Sequence, residues 1–123
     1  MTIMQAISRI DEMKPNAYAQ ENKVNWLSTL DGMVKKQVID HYEGCEDVEF
    51  NGYDKDTDKN TVLLIPEPFT DVYVHWLESK IDYFDGEYNK YNNDAMQFND
   101  MYSQYRNWYN STHNAKGVKI NYF

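Results

Sequence analysis

Asp54, Asp56, Asp58 and Asn60 place an oxygen-bearing side chain at every second position of one short stretch. That spacing opens a calcium loop of the EF-hand kind, in which oxygen ligands stand at positions 1, 3, 5 and 7. The pattern then departs from it. Lys59 stands where the sharp turn needs Gly, and Ile65 where a bidentate Glu closes the coordination sphere. The flanks read as strands rather than helices. The expected role is a solvated acidic tip that can face a basic partner surface, and no metal or other cofactor is expected.

The remaining chemistry-bearing residues are scattered. His41, His75 and His113 share no short metal-ligand spacing. A His near a helix end, as His41 is expected to be, is favourable through the helix dipole alone. Cys45 is the single cysteine, so no intrachain disulfide and no cysteine-based zinc site can form. Its neighbours Glu43, Glu46 and Asp47 disfavour a thiolate. No Gly-rich phosphate loop, nucleophile elbow or HExxH pair appears. The chain is not expected to be an enzyme.

Charge narrows the partners. Twenty acidic against twelve basic side chains give a net charge of −8. Duplex DNA and anionic membranes both require a basic surface, so neither is an expected ligand. No apolar run approaches the roughly 18 residues of a membrane span, and the first residues lack the pattern of a secretion signal. Eleven Tyr outnumber five Phe, a bias suited to half-buried faces and wet interfaces.

The elements that must position these residues are mainly helical, in a single domain over 1–123. Ile3, Ile7 and Ile10 share one face of a first helix, capped by Thr2 and ended by Lys14-Pro15-Asn16. Val24, Leu27, Leu30, Val34, Val38 and Tyr42 form a stripe that predicts a second helix over 19–42, with Gly32 inside it and Glu43-Gly44 as its stop. Thr70 or Asp71 can cap a third helix carrying Val72, Trp76, Leu77, Ile81, Phe84 and Tyr88. Asp85-Gly86 or Asn92-Asn93 can break it. A fourth carries Phe98, Met101, Tyr102, Tyr105, Trp108 and Tyr109 and ends near Thr112. The last two form an antiparallel hairpin or one long kinked helix.

Between the second and third helices, residues 47–68 read as a β-hairpin insert. Val48 and Phe50 lead to Asn51-Gly52, and the run 61–65 is β-branched and apolar. An extended tail is expected over 114–123, where Val118, Ile120 and Tyr122 alternate with Lys119, Asn121 and Phe123. Such a strand can add to a neighbour's sheet edge or pair with the chain's own hairpin. The candidate partner interface is therefore Phe50, Tyr53, Asp54, Asp56 and Asp58 on the insert, with Val118, Ile120, Tyr122 and Phe123 on the tail. The aromatics of the fourth helix read chiefly as core, with a part left to meet another chain. Stacked bases would need a basic groove, and only Arg106 is near.

The order of elements resembles the small head–tail connector (adaptor, or head-completion) proteins of long-tailed bacteriophages and prophages. The likeness runs through the opening helix, NKVNWLSTLDGMVKKQVIDHY, the insert ending LLIPEP, FTDVYVHWLESKIDYFDGEYNKYNND, and AMQFNDMYSQYRNWYN with its tail. The resemblance implies a virion protein of the neck, assembled in the host bacterial cytoplasm. It implies a ring of about a dozen copies beneath the portal protein, bound below by the next neck or tail protein. DNA would only pass through the channel, and an acidic lining would let it slide. The long acidic insert departs from the plainest all-helical members. A different class of function also fits the composition: a small acidic phage-encoded protein that regulates or inhibits a basic host factor.

Overall fold

The computed structural model describes residues 1–117. Helix α1 spans Ile3–Met13. Thr2 Oγ1 accepts from the Gln5 amide at 3.1 Å, and Gln5 Oε1 accepts from the Thr2 amide at 2.9 Å. This reciprocal capping box satisfies two amides that the first turn would otherwise leave bare. Ile3, Ile7 and Ile10 are buried as their spacing requires, and each contributes about 1.5–3 kcal/mol by leaving water.

Helix α2 spans Gln20–Gln37 and buries Val24, Leu27, Leu30 and Val34. It is shorter than its stripe predicts, giving way to a 3-10 turn at Ile39–His41. Other partners take the backbone groups that a continuing helix would use. The Lys116 amide donates to His41 O at 2.7 Å and the Glu43 amide to Asn114 O at 2.9 Å. The start of the tail is thereby held against the turn. Gly32 is half-buried under the insert, where an added Cβ would sit 3.6 Å from the Phe50 ring.

Helices α3, Asp71–Phe84, and α4, Tyr88–Thr112, form the antiparallel hairpin. Trp76 meets Phe98 at 5.1 Å between ring centroids, and Phe69 meets Tyr105 at 5.9 Å. Of the two possible breaks, Asp85-Gly86 is the one used, and Asn92-Asn93 lies within α4. The Glu87 amide donates to Asp82 O and the Gly86 amide to Tyr83 O. This is the paired closure of a Schellman motif, which needs a left-handed residue just past the helix end. Gly86 supplies it at φ 76°. One apolar cluster unites residues of all four helices with Leu63 and Ile65.

The β-hairpin insert expected at 47–68 is not there. Among the described residues there is no strand, only isolated bridges between Thr2 and Val62 and between Tyr42 and Ala115. The reason lies in where the backbone donors of the apolar run go. The Leu63 amide donates to Met1 O at 2.9 Å, Leu64 to the Asp31 carboxylate at 3.0 Å and Ile65 to the Tyr73 hydroxyl at 2.7 Å. Leu63 and Ile65 are buried while Val62 is exposed, so the period-2 alternation is real. Its partners are a chain terminus and side chains, not a second strand. The first half of the insert lies on α2 instead, with the Tyr53 amide donating to Ser28 Oγ at 2.9 Å.

Candidate interaction surface

Asp31 anchors the insert. It is fully buried on α2. Its Oδ1 accepts from the Tyr73 hydroxyl at 2.6 Å, and its Oδ2 from the Tyr53 hydroxyl at 2.6 Å and the Leu64 amide. Burial raises the Asp31 carboxyl above its usual range, and the three hydrogen bonds oppose that rise. Burial beside this acid also pushes the Tyr73 and Tyr53 hydroxyls far up, so both remain donors. Tyr53, a candidate interface residue, is half-buried and also holds the insert to this acid. Phe50 is half-buried and packs edge-on against Tyr53 at 5.1 Å.

Asp54, Asp56 and Asp58 are exposed at the tip as expected. Asp54 Oδ1 accepts from the Asp56 amide at 2.9 Å and Asp58 Oδ1 from the Asn60 amide at 2.8 Å. These are the local turn bonds that Asp side chains make to backbone two residues on. Among the described residues, no group of three or more His, Cys, Asp or Glu stands close enough to hold a metal ion. Val118, Ile120, Tyr122 and Phe123 lie outside the described residues.

His113 stacks on Tyr109 at 3.7 Å with 3° between planes, and Lys116 Nζ lies 3.6 Å from Cys45 Sγ. A polar cleft of about 610 Å³ separates the end of α2 from α4. Tyr42 Oη donates to Asn110 across it at 2.8 Å. No helix among the described residues is long and apolar enough to cross a membrane.

The surface that stands out is at the opposite end of α4. Tyr83, Phe84 and Tyr88 are 49%, 57% and 61% exposed around the α3–α4 turn. Tyr83 contacts Phe84 at 5.3 Å, Tyr88 at 6.1 Å and Tyr91 at 5.3 Å. Phe84 stacks on Trp26 at 5.7 Å and 10°, and Tyr18 meets Trp26 edge-on at 5.7 Å. Six rings from α2, α3, α4 and the 14–19 linker thus form one continuous ledge. Contiguous exposed apolar surface of this kind marks an interaction site, whereas scattered single side chains do not. The stripe reading assigned Phe84 and Tyr88 to the third helix. The Schellman turn ends α3 at Phe84, and Tyr88 belongs to the first turn of α4.

Polar contacts beneath the ledge hold it. Lys14 Nζ binds both oxygens of Asp82 at 2.5 Å, and Tyr18 Oη donates to Asp85 at 2.6 Å. The Asp82 side chain is only 3% exposed. Burial alone would raise its pKa, but hydrogen bonds from Asp94 and Lys14 hold it below the usual range. Asp94, on α4, is 5% exposed, and its Oδ2 has no partner among the described residues. Burial, then the Asp82 and Glu78 carboxyls, hold its pKa up at about 8. Asp94 therefore keeps its proton at neutral pH, beside the Asp82 and Glu78 carboxyls of α3.

Comparison with protein-family models, curated proteins and solved structures gives no match. The functional reading rests on the surfaces themselves.

Proposed function

We propose that this chain is a structural subunit acting through its surfaces, and that it fills the role its sequence resemblance implies, a bacteriophage head–tail connector. The aromatic ledge carries the reading. Six mutually packed rings, with Tyr18 tied to Asp85 by a hydrogen bond, offer a surface already in place for another protein, at low entropic cost on docking. In a connector ring each subunit presents one face to the copy beside it through a heterologous contact. The portal and the next neck or tail protein take other faces, and the net charge of −8 suits a channel through which DNA slides. The same charge favours a second reading, an acidic regulator that binds a basic host factor.

The test is the double variant Phe84→Ser/Tyr88→Ser. Both rings are more than half exposed, so thermal stability is expected to fall by no more than about 1 kcal/mol. Incorporation into particles is expected to fall at least about tenfold, the loss of about 1.4 kcal/mol of docking energy. Undiminished incorporation of the folded double variant would overturn the proposal.

A further inference from the structure

We infer that the α3–α4 ledge docks an arginine-bearing segment of another protein, whose guanidinium groups lie on the exposed Tyr83, Phe84 and Tyr88 rings and pair with Asp85 and Glu87. This inference rests on the ledge being an interaction surface and adds the chemistry of its occupant. Charge complementarity selects that occupant. Asp85 and Glu87 are exposed and sit between the rings in sequence, at the turn itself. The last turn of α3 carries no basic residue, so the negative end of its dipole is not offset there.

Nearby cations leave this field negative. Lys14 is taken by Asp82, and Lys80 lies over the Trp76 ring at 4.3 Å. Lys90 is exposed on α4 and forms no ion pair among the described residues. Asp94, holding its proton, adds no charge. Aromatic faces with carboxylates at their rim suit guanidinium, which stacks on rings and pairs bidentately with carboxylates. A purely apolar partner would bury the Asp85 and Glu87 charges with no cation to pair them, at a desolvation cost.

The test titrates the ¹⁵N-labelled full chain, in 150 mM salt, with acetyl-Arg-Leu-Arg-Leu-Arg-Leu-amide. A second peptide with Gln for each Arg is the comparison, and amide shifts are the readout. Saturable shifts are expected at residues 83–91 and at the Trp26 indole. Binding of the Gln peptide is expected to be about tenfold weaker. Asp85→Asn/Glu87→Gln should weaken the Arg peptide by a similar factor, and Phe84→Ser should remove the ledge shifts. Equal binding of the two peptides would overturn the arginine assignment, and so would Arg-peptide shifts spread over the acidic surface or absent from the ledge. The interaction reading itself stands or falls separately, on incorporation of the Phe84→Ser/Tyr88→Ser variant.

Discussion

Replacing Asp94 by Asn should abolish a pH dependence of stability that the native chain carries across the neutral range. Asp94 has a pKa raised from 3.8 to about 8 by burial and by the neighbouring Asp82 and Glu78 carboxyls. In the unfolded chain the group is ionised above about pH 5. Between there and pH 8 the native state holds one more proton than the unfolded state. Unfolding free energy then falls by about 1.4 kcal/mol per pH unit, flattening as the native group titrates. The stabilisation is complete below the unfolded pKa and gone once pH passes about 8. Integrated from pH 6 to pH 8, the loss is about 2 kcal/mol, or roughly 5–10 °C in Tm for a chain of this size.

Asn keeps the shape and the donor of the protonated acid without titrating. Other groups titrate in both proteins, among them Asp31, so the contribution of Asp94 is the difference between the two profiles. Thermal unfolding followed by circular dichroism at pH 6, 7 and 8 measures it. The native chain should lose several degrees more than Asp94→Asn, and the variant should be the more stable protein at pH 8. Parallel profiles, within about a degree, would refute the proton assignment.

Two further predictions test how the insert and the first helix are held. Asp31→Ala strands the Tyr53 and Tyr73 hydroxyls and the Leu64 amide, and should cost roughly 3–5 kcal/mol in denaturant unfolding, with the Leu64 amide exchanging faster in hydrogen-exchange measurements. Thr2→Ala removes one half of the capping box and should cost about 1 kcal/mol by the same unfolding assay.

Helix faces were legible because spacing reports them directly. Ile3, Ile7 and Ile10, or Val24, Leu27, Leu30 and Val34, can share a face in one conformation only, and each set is buried. Spacing does not report where the covering element stops. The stripe through Ile81 and Phe84 continues past its cover, so Phe84 emerges on the surface, and spacing alone gave no sign of the ledge. The run 61–65 alternates as a strand does, yet nothing local says whether its amides meet another strand or a buried carboxylate. Asp31, Asp82 and Asp94 looked like three more acids in an acidic chain. Only the packing of α2, α3 and α4 reveals that they are buried. Asp85-Gly86 was one of two breaks the sequence offered, and Asp-Gly after an apolar helical run suits the left-handed closure it makes.

The proposal that this chain is a connector subunit is tested most directly by quantitative mass spectrometry of purified particles from a phage or induced prophage that encodes it. The connector reading predicts a copy number matching the portal ring, the dozen or so that the resemblance implies. Absence from intact particles would contradict it and favour the acidic regulator.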